Sequence, residues 1–231
     1  MNRWIIVPAA GTGSRFGGDV PKQYQLLSDK TVIEHALERL LAVDVSDIVV
    51  AVNKEDDRWQ QLEIFDHPRI RTVHGGDERS DSVRMALECL QREAHTDDWV
   101  LVHDVARPCV RVADIKKLID SLEYHKVGGV LATPMNDTVK RVTNPFDINS
   151  TEDRTELWAA QTPQMFRYGV LSWSLKTAVR DHWKPTDESA AVERLGHTPQ
   201  VVEGSRDNIK ITRSEDMAIA SAIMNYQQQK S

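Results

Sequence analysis

Apolar and polar positions follow two different periods along the first two-thirds of the chain. Short apolar runs stand at "RWIIVPA" from Arg3, "SDIVVAV" from Ser46, "RIRTVHG" from Arg69, "DWVLVHD" from Asp98 and "GGVLATP" from Gly128. Between them, apolar residues recur every three or four places: Thr31–Val43, "KEDDRWQQLEIF" from Lys54, "SDSVRMALECLQREA" from Ser80 and "VADIKKLIDSLEYH" from Val112. The first pattern predicts buried strands and the second amphipathic helices, the one from Ser80 opened by a Ser/Asp cap. Strands alternating with helices imply βαβ crossovers. The expected fold is therefore α/β: a Rossmann-like, mostly parallel sheet covered by helices on both faces. Ligands of such sheets sit beyond the carboxyl ends of the strands, so the loops after Val7, Val73 and Val102 are the first places to look for chemistry.

After Pro134 the rhythm breaks. From Asn136 to Phe166 no good helical period appears, and Asn144-Pro145 signals a turn. Two extended pieces, Asp137–Val142 and Thr155–Gln161, bracket the stretch like the legs of a hairpin. A structureless excursion of that length is uncommon inside a compact domain. The expectation is a projecting β-arm over about residues 136–162, whose Val139, Leu157 and Trp158 need a partner to be buried. Helices resume at Tyr168 and around Glu188, and "SEDMAIASAIMNY" closes the pattern. With neither a repeat nor a linker in the sequence, residues 1–231 read as one domain including the arm.

Composition narrows the classes. The chain has 231 residues, 40% hydrophobic and 28% charged, which suits a soluble globular protein with a sizeable core. A net charge of −6 argues against broad binding to nucleic acid or anionic membranes. A polyanionic ligand must instead be gathered by local cations. Two cysteines, Cys89 and Cys109, give neither a disulfide framework nor zinc spacing. "MNRWIIVPAAG" is broken too early by Pro8 for a signal peptide, and no apolar run approaches the length of a membrane span. The expected compartment is the cytoplasm.

Five polar clusters fall at loop positions of this scheme. The first, "VPAAGTGSRFGGDVPKQY", nearly matches the dinucleotide pattern G-x-G-x-x-G, but Phe16 occupies the last glycine position and Gly17 comes one place late. A dinucleotide loop holds pyrophosphate on backbone N–H groups and needs no cation there. Arg15 and Lys22 in the same excursion suit a triphosphate instead. The others are "GGDERSDSV" from Gly75, "HDVARP" from His103, "TDESAAVE" from Thr186 and "DNIKITRSED" from Asp207. Each has a plain structural alternative. Arg15 or Lys22 can be a solvated loop cation, Asp104 a helix cap, Thr186-Asp187 an N-cap, and Arg79 the partner of a nearby carboxylate. Lys210, between Ile209 and Ile211, fits the exposed face of an alternating strand, and His103 is read as structural. Five such clusters on the ligand edge of one sheet favour function for the set.

The ordered motifs "PAAGTGSRFG", "PKQY", "GGDERSDSV", "HDVARP", "DTVKR", "TPQMF", "TDE" and "NIKIT" run over nearly the whole chain. Together they resemble the 2-C-methyl-D-erythritol 4-phosphate cytidylyltransferases of non-mevalonate isoprenoid synthesis. Val105 where alanine is usual, Ser189-Ala190 in place of Ala-Ser, and Arg213 in place of a smaller residue depart from the pattern. The resemblance implies a nucleotidyltransferase-type fold and in-line attack of a sugar-alcohol phosphate on the α-phosphorus of CTP, releasing pyrophosphate. An ionised phosphate nucleophile needs no general base, and the clusters hold no His/carboxylate pair. The resemblance assigns transition-state stabilisation to Arg15 and Lys22, with Arg154 and Lys210 positioning the acceptor phosphate. It gives Asp104 as the ligand of one Mg²⁺. It places the nucleotide against Pro8, Ala9, Ala10, Gly11, Gly13, Gly76, Asp77, Ser82, Asp104 and Val105, and the acceptor near Thr138, Arg154, Thr162, Thr186 and Lys210. It further implies a homodimer whose arms cross, so that Arg154 enters the neighbour's site. The alternatives are a ribitol-5-phosphate cytidylyltransferase, an NAD-dependent dehydrogenase and a non-catalytic binding module. The dehydrogenase would need an acidic residue ending the second strand, where Asn53 stands.

Overall fold

The computed structural model describes residues 1–11, 16–17, 20–144 and 146–229. In chain order the elements are β1 (Arg3–Pro8), β2 (Leu26–Leu27), β3 (Lys30–Thr31), α1 (Val32–Leu41), β4 (Asp47–Val52), β5 (Ile70–His74) and α2 (Arg79–Cys89). They continue with β6 (Trp99–Val102), α3 (Val112–Leu122), β7 (Gly128–Pro134), β8 (Lys140–Thr143), β9 (Asp147–Thr151) and β10 (Trp158–Arg167). The chain then adds α4 (Tyr168–Arg180), α5 (Glu188–Glu193), β11 (Gln200–Glu203) and α6 (Asp216–Gln228). Seven strands form one sheet in the order β11-β7-β10-β6-β1-β4-β5. β10 runs antiparallel to both its neighbours and the other pairings are parallel. The α/β, mostly parallel architecture expected from the pattern is what the chain adopts.

The period of two along β1 decides which helix packs where. Ile5 and Val7 join Ile48, Val50 and Leu101 on one face, under Ile33, Leu37 and Leu40 of α1 and Ile115, Leu118 and Leu122 of α3. Trp4 and Ile6 join Val49, Val100 and Val102 on the other, under Val83, Ala86 and Leu87 of α2 and Leu171 and Leu175 of α4. Each fully buried Leu or Ile contributes roughly 1.5–3 kcal/mol of transfer free energy. Helix α1 starts on a capping box: the Thr31 hydroxyl accepts from the Glu34 N–H while the Glu34 carboxylate accepts from the Thr31 N–H.

Two local expectations fail, and one strand was not foreseen. The segment from Lys54 to Phe65 is not an α-helix but ends in two short 3₁₀ turns, Trp59–Gln61 and Glu63–Asp66. Asn53 and Asp56 side chains accept from the Glu55 and Arg58 N–H groups, offering local turns in place of the helical ladder. Trp59 is fully buried, with its Nε1 donating to Thr72 Oγ1 at 2.9 Å. Helix α2 starts at Arg79 with Glu78 as N-cap and no side-chain cap bond, so Ser80 and Asp81 sit inside its first turn. Strand β11, which the pattern did not reveal, is a four-residue edge strand beside β7.

The arm is tighter than expected. Asn144, at φ +52°, turns the chain so that β8 pairs with β9 rather than with Thr155–Gln161. The expected second leg is the start of β10, whose Trp158–Ala160 pair with Pro134–Ala132 of the central sheet. Val142, Phe146, Ile148, Leu157 and Trp158 are exposed in the single chain. Among the described residues no helix is long and apolar enough to cross a membrane, and both cysteines are free thiols.

Candidate active site

Strands β1, β5 and β6 end at one edge of the sheet, where β4 lies to one side of β1 and β6 to the other. The connection from β1 leads to β4 on one side, while the chain returns from β5 through α2 to β6 on the other, which opens a crevice at the carboxyl ends. A cleft of about 370 Å³ occupies that point, lined by the loop after β1, the turn after β5, the turn after β6 and the segment before α6.

The turn after β5 fits because it carries glycines. A Cβ on Gly75 would lie 2.5 Å from the Ala10 Cβ and 2.7 Å from Ser82 Oγ, and one on Gly76 would lie 2.5 Å from the Asp81 Cβ. The two loops therefore approach closely only as written. Ser82, which the resemblance sets against the nucleotide, lines the cleft but is 2% exposed. Its Oγ accepts from the Gly76 N–H at 3.2 Å and so braces the turn. Gln23 braces the loop after β1 in the same way: its Nε2 donates to the Ala9 and Gly11 carbonyls, both at 3.0 Å.

Asp104 sits in the turn after β6 at the centre of a charge cluster. Its Oδ1 receives Arg79 Nε at 2.7 Å, and its Oδ2 receives Lys210 Nζ at 2.7 Å. Burial alone would raise the carboxyl's pKa. The Arg79 and Lys210 charges outweigh it and hold the group well below the usual carboxylate range. Asp104 is thus no helix cap; Arg111 holds the N-cap position of α3. Behind Asp104 lies a chain of hydrogen bonds. The Asp104 N–H donates to Thr162 Oγ1 at 3.0 Å, and Thr162 Oγ1 lies 3.1 Å from His103 Nδ1. His103 Nε2 lies 3.1 Å from the Arg107 carbonyl, so that nitrogen carries the proton and Nδ1 accepts from the threonine. Burial pushes the His103 pKa down to about 4, which keeps the ring neutral. His103 is structural, as expected.

Arg79 has a second partner. Its Nη1 and Nη2 donate to Glu188 Oε1 and Oε2 at 2.6 and 2.9 Å, and Glu188 is 1% exposed. Burial would lower the guanidinium's pKa, but Glu188 and Asp104 together raise it. Opposite, Lys22 Nζ donates to the Ile211 carbonyl at 3.0 Å. This contact ties "PKQY" to the segment holding Lys210, which is irregular backbone and not the strand that Ile209 and Ile211 suggested.

Of the expected residues, Pro8, Ala9, Ala10, Gly11, Lys22, Gly76, Asp77, Ser82, Asp104, Val105 and Lys210 line this one cleft. Gly13 and Arg15 lie outside the described residues. Four others lie off the cleft of their own chain. Arg154 and Thr138 are exposed near the base of the arm, where Arg154 Nη1 donates to the Asn136 carbonyl. Thr162 is buried behind Asp104, and Thr186 is exposed just before Asp187, the N-cap of α5. Ser189 turns its hydroxyl to Glu193. Sequence reasoning missed the roles of Gln23 and Glu188, whereas Arg79 pairs with nearby carboxylates as its structural alternative had it. The cues were the motifs themselves: Glu188 is the last letter of "TDE" and Gln23 stands inside "PKQY".

A family model described as 2-C-methyl-D-erythritol 4-phosphate cytidylyltransferase matches residues 4–226. The chain belongs to that family. The Vibrio cholerae cytidylyltransferase is 47% identical over 233 residues, spanning 100% of this chain and 99% of its own. That of Vibrio parahaemolyticus is 48% identical over 216 residues, 93% of this chain and 92% of its own. The crystal structure of the Francisella tularensis cytidylyltransferase superposes with a TM-score of 0.85 at 36% identity, covering 96% of this chain and 100% of that one. The activity is transfer of the cytidylyl group of CTP to 2-C-methyl-D-erythritol 4-phosphate, in the non-mevalonate route to isoprenoids. The match favours this acceptor over ribitol 5-phosphate, and it sets aside the dehydrogenase and the binding module.

Proposed function

We propose that the cleft beyond β1, β5 and β6 performs the cytidylyl transfer by direct in-line attack, with no general base. Support comes above all from Asp104, held ionised at the cleft wall between Arg79 and Lys210. Backbone groups of Pro8–Gly11 and Gly13, with Gly76, Asp77, Ser82 and Val105, take the nucleoside. Lys22 and Arg15 stabilise charge as the α-phosphorus becomes pentacoordinate. Lys210 positions the acceptor phosphate, whose ionised oxygen is already a competent nucleophile. His103, neutral and turned to the Arg107 carbonyl, takes no proton from it.

Mg²⁺ fits the donor set at Asp104. Among the described residues no group of three or more His, Cys, Asp or Glu could hold a metal by itself. One ionised carboxylate beside a phosphate site is what Mg²⁺ uses when substrate oxygens and water complete its shell. When bound, the ion neutralises triphosphate charge. Lys210 is more exposed than Asp104 and can move from Oδ2 to share the carboxylate.

Arg154, with Thr138, acts in trans. Its exposed position off its own cleft and the uncovered Val142, Phe146 and Ile148 of the arm support a homodimer in which each arm reaches the neighbour's acceptor site. Thr162 serves its own chain by seating Asp104, and Thr186 stands at the mouth of α5 for the acceptor. The whole chain acts as one domain in the cytoplasm, without nucleic acid or membrane. A coupled pyrophosphate assay tests the reading across CTP, UTP, ATP and GTP with methylerythritol and ribitol phosphates. Turnover confined to CTP and methylerythritol phosphate is expected; equal turnover with ribitol phosphate would overturn the acceptor assignment.

A further inference from the structure

Glu188 does not line the cleft, yet it is almost fully buried and takes both terminal nitrogens of Arg79. Arg79 in turn offers only Nε to Asp104, whose other oxygen faces Lys210 at 2.7 Å and, more distantly, Arg107 Nε at 3.8 Å. The four groups form a line of alternating charge from α5 to the cleft: Glu188, Arg79, Asp104, Lys210. A guanidinium facing Asp104 alone would bear on the carboxylate with its full charge and could fork over both its oxygens. The bidentate grip of Glu188 prevents both. It fixes the plane of the guanidinium, and it balances most of the charge that would otherwise compete with an incoming cation.

We infer that Glu188 is a positioning residue for the transfer reaction, holding Arg79 so that the Asp104 carboxylate stays oriented toward the cleft and open to a divalent cation. This rests on the reading of Asp104 as the metal ligand. A merely structural salt bridge between α5 and α2 predicts that removing either partner harms the site in the same direction. The charge line predicts opposite directions. Neutralising Glu188 releases Arg79 onto Asp104 and weakens cation binding. Neutralising Arg79 as well removes the competitor and restores it.

The test measures Mn²⁺ affinity of the enzyme–CTP complex without acceptor, by water proton relaxation, so that no turnover enters. Glu188→Gln is expected to weaken Mn²⁺ binding at least about fivefold, and the double variant Arg79→Gln/Glu188→Gln to return it to within about twofold of wild type. Arg79→Gln alone is expected not to weaken it. Unchanged affinity in Glu188→Gln, or a double variant as weak as the single, would overturn the inference. If Glu188→Gln does not fold, Arg79→Gln decides, because loss of Mn²⁺ affinity there contradicts the charge line. Asp104→Asn in the same assay separates the two levels. If it leaves Mn²⁺ affinity unchanged, the metal reading and the inference both fall; if it abolishes binding while Glu188→Gln does nothing, only the inference falls.

Discussion

Replacing Gln23 by methionine isolates what a single buried amide does for the nucleotide loop. Gln23 is 3% exposed and donates both of its Nε2 hydrogens, to the carbonyls of Ala9 and Gly11. Methionine keeps nearly the same volume and flexibility, so no cavity adds to the effect. Gly11 is exposed and its carbonyl can turn to water, whereas Ala9 is 1% exposed and its carbonyl cannot. One stranded buried acceptor costs about 1–3 kcal/mol. For a domain of this size each kcal/mol lowers Tm by roughly 2–4 °C, so the expected fall is roughly 2–12 °C. The loop it releases carries the backbone expected to hold the nucleoside in the ground state, so KM for CTP rises several-fold while kcat changes less. Urea unfolding and steady-state kinetics on the same preparations read both effects. Unchanged stability together with unchanged KM would refute the reasoning.

Lys22→Ala is expected to lower kcat by at least ~10²-fold with CTP binding nearly intact, as for loss of one transition-state donor; single-turnover kinetics with separate CTP titration checks it, and near-normal kcat would remove Lys22 from the reaction. Asp104→Asn keeps the shape and loses the charge, so the Mg²⁺ concentration for half-maximal rate rises, and an unchanged titration would leave Asp104 a purely structural ion-pair partner. His103 is held neutral with a folded pKa of about 4 against an ordinary 6.5. The unfolded chain therefore binds the extra proton first. The stabilisation is complete above about pH 6.5 and is lost as pH falls through 4, by roughly 3 kcal/mol in all. His103→Asn flattens that part of the stability–pH curve, and an identical slope would contradict the assignment.

The sheet, five of its seven sheet strands, and the helices other than α2's first turn were legible because period-two runs flanked by amphipathic helices leave few alternatives. The short edge strand β11 was not, since four residues carry too little pattern. The 54–65 segment misled because its apolar spacing is helical while Asn53 and Asp56 favour turns. At the site, charged residues and glycines in the loops, such as Lys22, Gly76, Asp104 and Lys210, could be picked out as a set, though each singly has a plain structural alternative. Gln23 and Glu188 could not, because their importance lies in partners 12–14 and 109 positions away, which only the fold brings together.

The most direct test of the account is subunit mixing, because it asks whether one active site is built from two chains. Lys22→Ala and Arg154→Ala homodimers are each expected to be nearly inactive. Mixed in equal amounts with free exchange, half the dimers carry one chain of each kind, and each such dimer regains one intact site. Activity is predicted to recover to about a quarter of wild type, the share random pairing gives in an isologous dimer. No recovery despite demonstrated exchange would contradict delivery of Arg154 across the dimer.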